Sequence, residues 1–175
     1  EGNVPLRTDV FKEKQTMIRK ATMQDLPAIV DIYAYARNFM VKTGNANQWG
    51  DGYPQEKLLR DDIAQKQLYM IEQSGAICGV FVFIIGEDPT YAVIDEGAWL
   101  SDAPYGTIHR VASNGAVHGI MKQIVGFCRA QIHHLRIDTH ADNHIMQHLI
   151  LQCGFTRRGI IYVRDGSPRI AYEMT

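Results

Sequence analysis

The sequence has few cysteines, and none of them stands in a paired motif. The chain has 175 residues and three cysteines, Cys78, Cys128 and Cys153, without the Cys-x-x-Cys spacing of zinc ribbons and redox dithiols. Each lies in an apolar stretch, which is typical of buried free thiols in a reducing compartment. The sequence therefore speaks against a disulfide scaffold, and we expect a cytoplasmic protein.

Long apolar runs and an excess of positive charge are also missing. No stretch approaches the roughly 20 apolar residues that span a bilayer, and the N-terminus lacks the apolar core of a signal peptide. The 18 Lys and Arg residues are balanced by 19 Asp and Glu residues, which gives a net charge of -1. Nucleic acids and anionic membranes are bound through a clear excess of basic side chains. We therefore expect neither nucleic acid nor membrane as a partner.

What is present fits one folded domain. Hydrophobic residues make up 46% of the chain and charged residues 21%, which is the balance of a globular protein, and the length is usual for a single domain. Residues 1–16 are polar, show no period and precede Met17. We interpret them as a flexible N-terminal extension and predict that the domain spans residues 17–175.

Hydrophobic periodicity predicts strands and helices in a mixed order. The apolar stripe from Leu26 to Met40 has helical spacing, and residues 77–85 (ICGVFVFII) suit a strand at the centre of a sheet. Strands are predicted at residues 18–21, 68–72, 77–85, 107–113, 135–139, 155–164 and 169–174, and helices at 26–40, 56–65, 117–132 and 145–152. A further short strand is a candidate at residues 91–94. This order predicts an α/β (α+β) domain whose mixed, mostly antiparallel, twisted sheet of about seven strands is flanked by helices.

Residues 111–119 (VASNGAVHG) leave a strand and enter a helix through small side chains. The exposed amide groups and the positive dipole at a helix start can bind phosphate. Only small side chains allow a pyrophosphate to approach the backbone closely. An ordinary strand-to-helix connection explains the same residues, and this segment alone does not decide between the two.

Residues 135–159 contain a second pattern. Asn143 suits the N-cap of a helix, Gly154 suits its left-handed C-cap, Phe155 suits the core, and Gly159 follows in the next strand. Each residue has a structural explanation by itself. Their joint spacing is more specific than any one of them.

The spacing of Asn143, Gly154-Phe155 and Gly159 resembles that of the GNAT superfamily of N-acetyltransferases. The family's Q/R-x-x-G-x-G/A loop would fall on Ala116 to Met121, and residues 17–33 resemble its first strand and helix. The resemblance implies a single-domain fold whose sheet splays between strands four and five. It also implies transfer of an acetyl group from acetyl-CoA, as co-substrate, to a primary amine of a small molecule, amino acid or peptide, by direct attack in a ternary complex. Family members are often homodimers.

The resemblance assigns the cofactor site residue by residue. Backbone groups at the end of the fourth strand would hold the pantetheine arm, as an added strand would be held. Amides at the following helix start would hold the pyrophosphate, and the Asn at the start of the last helix would reach the cofactor from the other side. These residues are Val111, Ala112, Ser113, Val117, His118, Gly119, Ile120, Met121, Lys122 and Asn143.

Three residues depart from the family pattern. Ala116 stands where Gln or Arg is usual, and Met121, in place of a small residue, would crowd the pyrophosphate. Ile150 stands where many members carry a tyrosine that protonates the leaving thiolate. The alternative function is therefore a catalytically weak acyl-CoA-binding module.

The acceptor side is less defined. Amine attack benefits from a base, and the candidates are Glu96, in the connection before the fourth strand, and His109, which should point to the same face as Val111. An exposed Glu and a hydrogen-bonded core His explain the same two residues at least as well. Trp49 and Tyr53, in the Gly-rich loop at residues 43–54, would either line the acceptor pocket or anchor that loop on the core.

Three histidines suggest a different chemistry. His144 and His148 have the i, i+4 spacing of some zinc sites, and His140 is close by in the sequence. The sequence between them, H-I-M-Q-H, lacks the acidic residue of the His-Glu-x-x-His motif. We therefore predict no metal site and rank a zinc hydrolase last among the functions.

Overall fold

The computed structural model describes residues 16–175. The predicted N-terminal extension, residues 1–16, lies outside the described residues except for Thr16. The elements in chain order are β1 (Thr16–Lys20), α1 (Leu26–Lys42), α2 (Glu56–Ala64), β2 (Leu68–Gln73), β3 (Ala76–Ile85), β4 (Gly106–Ser113), α3 (Ile120–Arg129), β5 (Leu135–Thr139), α4 (His144–Gln152), β6 (Thr156–Tyr162) and β7 (Pro168–Met174).

The seven strands form one mixed sheet in the order β1-β2-β3-β4-β5-β7-β6. Every neighbouring pair is antiparallel except β4 and β5, which run parallel. The predicted fold class is therefore confirmed. Because side chains alternate along β3, Phe81 and Phe83 pack with α3, whereas Val80 and Val82 pack with α1 and α2. The nearly continuous apolar sequence of β3 reflects this burial on both faces.

The sheet opens between β4 and β5, as predicted. The two strands pair only at Gly106–Leu135, Thr107–Arg136 and Ile108–Ile137, although β4 continues to Ser113 and β5 to Thr139. Beyond these three pairs the strands diverge. We call the gap between residues 109–113 and residues 138–139 the opening.

Two predicted elements differ from the structure. α3 begins at Ile120 rather than at residue 117, because Gly119 before it takes a left-handed conformation (φ 78°) that interrupts the helix. The candidate strand at residues 91–94 is absent. The chain forms a short 3-10 helix at Pro89–Tyr91, followed by a single bridge between Asp95 and Ile160 of β6.

A buried ionic group ties the connection before β4 to the sheet. Glu173 of β7 is fully buried, pairs with His134 (2.6 Å) and accepts a hydrogen bond from Nε of Arg136 (3.1 Å). The Arg136 guanidinium lies 4.0 Å from the ring centre of Trp99 and 3.9 Å from that of Tyr105. The connection is held against β5 and β7 by these cation–π contacts and by a hydrogen bond from the Leu100 amide to Glu173.

The cysteines follow the prediction closely. Cys78 and Cys128 are buried, Cys153 is partly buried, and all three are free thiols. Burial raises the pKa of each thiol and so keeps it in its unreactive form. Within residues 16–175, no helix combines the length and the apolar character that crossing a membrane requires.

Candidate active site

The opening between β4 and β5 brings polar side chains together on one face of the sheet. His109 is the first residue of β4, and Asp138 the first of β5, beyond the last parallel pair. On β7, Ala171 pairs with Asp138 and is buried together with Tyr91. This face of the opening is therefore the one covered by the connection between β3 and β4.

His109 is held by a carboxylate. Its Nε2 lies 2.8 Å from Oδ2 of Asp88, and both side chains are mostly buried. Burial alone would raise the pKa of Asp88, but hydrogen bonds from His109 and Thr90 outweigh it and hold that pKa well below its ordinary range. Because Asp88 stays ionised, the proton of the neutral imidazole lies on Nε2, and Nδ1 carries a lone pair.

A second carboxylate lies beside the first pair. The Tyr91 hydroxyl donates to Oδ1 of Asp138 (2.7 Å), and the rings of Tyr91 and His109 have centroids 6.1 Å apart. Burial raises the pKa of Asp138. Asp88, Tyr91 and Asp138 were not identified from the sequence. Asp138 had one usable signal, because the strand L-R-I-D-T places polar residues at alternate positions of a central strand.

A bulge in β4 separates His109 from Val111. The register with β3 shifts between Val80 and Val82, and Arg110 takes a left-handed conformation (φ 50°), which is uncommon for a residue with a side chain. Val111 packs with the core under α3, whereas His109 points toward Asp88. The prediction that His109 and Val111 point to the same face is therefore wrong, because the extra residue breaks the alternation.

Neighbouring side chains fix the backbone of the bulge. The buried Tyr33 hydroxyl donates to the Arg110 carbonyl (2.8 Å), and the Arg110 guanidinium donates to the buried Asp62 (2.6 Å). Bulges beside active sites re-aim backbone and side-chain groups in this way.

The start of α3 presents free backbone donors. The first hydrogen bond across the helix start joins the Gln123 amide to the Gly119 carbonyl (3.3 Å), so the amides of residues 120–122 have no acceptor within the helix. The side chains of Ile120 and Met121 are buried in the core, 7% and 4% exposed. The Met121 side chain, which was expected to crowd a bound pyrophosphate, thus packs into the core under α3.

The other predicted cofactor residues lie around this turn. Ser113 accepts from the Gly115 amide (3.3 Å), Ala112 is buried, and Val117 packs against the core under α3. His118 and Lys122 are exposed. The turn thus lies at the end of β4, next to the opening.

Asn143 caps α4, as the sequence indicated. Its side-chain oxygen accepts from the Met146 amide (3.1 Å), and its amide group donates to the side chain of Gln48 (2.8 Å). The backbone carbonyl of Gln48 accepts a hydrogen bond from the guanidinium of Arg169 on β7 (3.2 Å). These contacts engage one of the two N–H donors of the Asn143 side chain.

Residues 43–54, which we call the strap, bridge the opening. They leave α1, which packs against β3 and β4, and reach α4 and β7 beyond the opening through the contacts of Gln48. Trp49 packs edge-on against Tyr33, with centroids 5.6 Å apart, and so anchors the strap. Tyr53 is 39% exposed, and its hydroxyl lies 3.4 Å from the Arg110 guanidinium.

Glu96 lies apart from the polar group around His109. It is exposed, follows the bridge between Asp95 and Ile160, and makes no hydrogen bond to His109 in the described part of the chain. Gly159 allows the bridge to form, because a Cβ at this position would collide with the Asp95 carbonyl. Of the two candidate bases, only His109 therefore lies with Asp88 and Tyr91.

The three histidines near α4 do not converge. Nδ1 of His140 accepts from the Asp142 amide (3.1 Å), and His144 and His148 are exposed. Among residues 16–175, no three side chains of the metal-binding types are grouped as an ion would require.

No family model and no curated protein matches the chain. Solved structures do match it over most of its length. A GNAT-family acetyltransferase from Streptococcus agalactiae 2603 is 30% identical over 91% of this chain and 94% of that one, with a TM-score of 0.83.

Two further structures share the fold at lower identity. A GNAT-family acetyltransferase from Listeria monocytogenes 4b F2365 is 16% identical over 90% of this chain and 93% of its own, with a TM-score of 0.65. An aminoglycoside acetyltransferase in complex with coenzyme A and kanamycin is 17% identical over 92% of this chain and 95% of its own, with a TM-score of 0.63.

Proposed function

The chain belongs to the GNAT family of acetyltransferases, and from this premise we propose that it transfers an acetyl group from acetyl-CoA to a primary amine. The acceptor is a small molecule, an amino acid or a peptide. The observation that carries the proposal is the opening between β4 and β5, which places free backbone groups and a carboxylate-held imidazole beside each other.

The backbone at the opening suits the co-substrate. Residues 111–113 of β4 lie beyond the pairing with β5, so this edge can bind the amide groups of a pantetheine arm as an added strand would. The amides of residues 117–122 lie at or just before the start of α3, where a pyrophosphate is favoured by free donors and by the helix dipole. The aminoglycoside acetyltransferase with the same fold was solved with coenzyme A, which supports this assignment.

His109 is the proposed base. Its Nδ1 is free to accept a proton, because Nε2 is held by Asp88. The amine nitrogen attacks the thioester carbon, its proton passes to Nδ1, and the carbon–sulfur bond breaks to release the CoA thiolate. The Val111 amide, at the bulge, is the proposed donor to the carbonyl oxygen as it gains charge. Glu96, which is exposed and outside this group, has no such support as a base.

The acceptor would enter from the side of the strap. Trp49 and Tyr53 are its proposed contacts, and Tyr53 is the more accessible of the two. The strap crosses the opening and is fixed on both sides of it. A crossing of this kind limits the room for an acceptor and favours a small molecule or a single chain end.

Two measurements test the proposal in sequence. Isothermal titration should show that acetyl-CoA binds the full chain, and absence of binding at high micromolar cofactor would contradict any function based on acetyl-CoA. Thiol release should then depend on an added primary amine from a panel of amino acids, alkylamines, diamines and short peptides. Binding without thiol release for any acceptor would favour the catalytically weak binding module instead.

A further inference from the structure

Only one of the two carboxylate oxygens of Asp138 accepts a hydrogen bond from the described part of the chain. Asp138 is partly buried on β5, just beyond the last pair with β4. Among the described residues, its side chain receives one hydrogen bond, from the Tyr91 hydroxyl to Oδ1, and Oδ2 receives none. A carboxylate withdrawn from water gains free energy when a further donor or a cation reaches it. Oδ2 is therefore free to accept from a ligand in the opening.

The charged neighbours of Asp138 leave Oδ2 free. Arg169 on β7 attracts the carboxylate electrostatically, but its guanidinium donates to Ser167 and to two backbone carbonyls. His109 faces Asp138 from β4, and its Nε2 is paired with Asp88. The cation that would complete the coordination of Asp138 is therefore not supplied by these side chains.

We infer that Asp138 binds the ammonium group of the acceptor through Oδ2 and so selects aliphatic amines, which are cations at neutral pH, over neutral aromatic amines. This inference rests on the proposed function. The Tyr91 hydroxyl donates to Asp138, and the centre of the Tyr91 ring lies 6.1 Å from that of His109, so Asp138 and His109 both neighbour Tyr91 beside the opening. The bound ammonium loses one proton to water, and the neutral amine attacks the thioester. The proton of the attacking nitrogen then passes to Nδ1 as the carbon–sulfur bond breaks and releases the CoA thiolate. Asp138 stays ionised and keeps accepting from a remaining N–H.

If Asp138 binds the ammonium group, activity toward aliphatic amines should fall as the pH drops and Asp138 becomes protonated. Burial raises the pKa of Asp138, and the charge of His109 and the hydrogen bond from Tyr91 oppose that rise. Arg169 opposes it too, whereas Asp88 adds to it. Tyr91→Phe removes one of the groups that lower the pKa of Asp138, so Asp138 becomes protonated at a higher pH in the variant. As the pH falls, kcat/KM for an aliphatic amine should therefore begin to decrease at a higher pH in Tyr91→Phe than in the wild-type protein.

The direct test compares two matched probes on two variants. Benzylamine is a cation at neutral pH, and p-toluidine is a neutral amine of similar size. Asp138→Asn keeps the shape of the side chain and an acceptor for Tyr91. It should reduce kcat/KM for benzylamine roughly 10- to 100-fold, the loss expected for a hydrogen bond to a charged group. It should leave kcat/KM for p-toluidine and the affinity for acetyl-CoA unchanged. Asp61→Asn, on the exposed face of α2, is the control and should change neither amine.

The outcomes separate this inference from the proposed function. Equal losses for both amines, or none for benzylamine, would overturn the role of Asp138 while amine acetylation stands. An acidic limb at the same pH in Tyr91→Phe and wild type would also overturn it, and this variant keeps the buried ring if Asp138→Asn fails to fold. If the wild-type chain releases no thiol with any amine, the proposed function itself fails, and this inference with it.

Discussion

His109 and His134 are each paired with a carboxylate through Nε2, and they differ in what Nδ1 does. Nδ1 of His134 lies 3.0 Å from the Ala103 carbonyl, and its Nε2 is paired with Glu173. Both nitrogens of His134 are thus engaged in structural contacts. Among residues 16–175, only Nε2 of His109 is engaged, by Asp88. The free Nδ1 makes His109 the residue of this pair that can exchange a proton with a substrate.

Replacing His109 tests that difference. His109→Gln should lower kcat for the best amine of the panel by about 10²- to 10⁴-fold, the usual contribution of a positioned base, and leave the affinity for acetyl-CoA unchanged. Steady-state thiol release and isothermal titration measure the two quantities. His133→Gln, at an exposed position, is the matched control. A kcat of His109→Gln within a few-fold of wild type would show that another group, or water, takes the proton.

At the residue scale, the sequence predicted those site features that depend on local conformation. Asn143 and Gly154 are found at the two ends of α4 as expected, because caps follow from side-chain type and position. Asp88 and Tyr91 lie in the connection before β4 and Asp138 lies on β5, and only the folded sheet brings them together. The left-handed conformation of Arg110 could not be predicted from the sequence, because tertiary contacts with Tyr33 and Asp62 stabilise it.

At the scale of elements, the joint between β1 and α1 is fixed by Asp25. Its carboxylate accepts two hydrogen bonds from Arg19, both 2.8 Å, and one from the Thr22 amide (2.7 Å). The hydrogen bonds from Arg19 are the main cause that holds the pKa of Asp25 well below its ordinary value of 3.8. A carboxyl whose pKa is lower in the folded state stabilises the fold above its unfolded pKa. That stability is lost as the pH falls below the unfolded pKa.

Asp25→Asn should therefore destabilise the chain in a pH-dependent way. At pH 7 the free energy of unfolding should fall by about 1–2 kcal/mol, since the pair is partly exposed, and the difference from wild type should shrink as the pH drops below about 4. Urea unfolding across this pH range measures both. Asp51→Asn, in the exposed strap, should show neither effect. A difference that stays constant with pH would contradict the assigned charge pairing.

The sequence predicted some helices and strands more accurately than others. The nearly all-apolar β3 was placed correctly, because burial on both faces leaves few polar positions. The start of α3 was placed three residues early, since residues 117–119 suit a helix by composition and only the backbone of Gly119 stops it. The bridge of Asp95 to β6 could not be predicted, because one pair of residues has no periodic pattern.

At the scale of the whole molecule, the opening weakens the sheet that contains it. Only three residue pairs join β4 to β5, so other contacts must hold the two halves together. The strap joins them through Gln48. The connection before β4 joins them through the hydrogen bond from the Leu100 amide to Glu173. The relative position of β4 and β5 at the site thus depends on two segments outside the sheet, the strap and the connection before β4.

The contacts of Glu173 with the connection before β4 can be removed without changing a residue of the proposed site. Glu173→Gln leaves the Arg136 guanidinium buried without its carboxylate, and the loss of one partner of a buried pair costs about 3–5 kcal/mol. Urea unfolding should show a decrease in this range, whereas Glu96→Gln, at an exposed position, should change stability little. A decrease below about 1 kcal/mol would show that Glu173 is not needed to hold the connection.

The central claim is that the opening joins an acetyl donor to an amine. The most direct measurement incubates the wild-type chain with acetyl-CoA and the panel of amines, and quantifies free thiol and N-acetylated product in the same samples. The account predicts that each thiol released is matched by one acetylated amine, and that both are lost in His109→Gln. Thiol released without acetylated product, or no amine-dependent release by the wild-type chain, would contradict it.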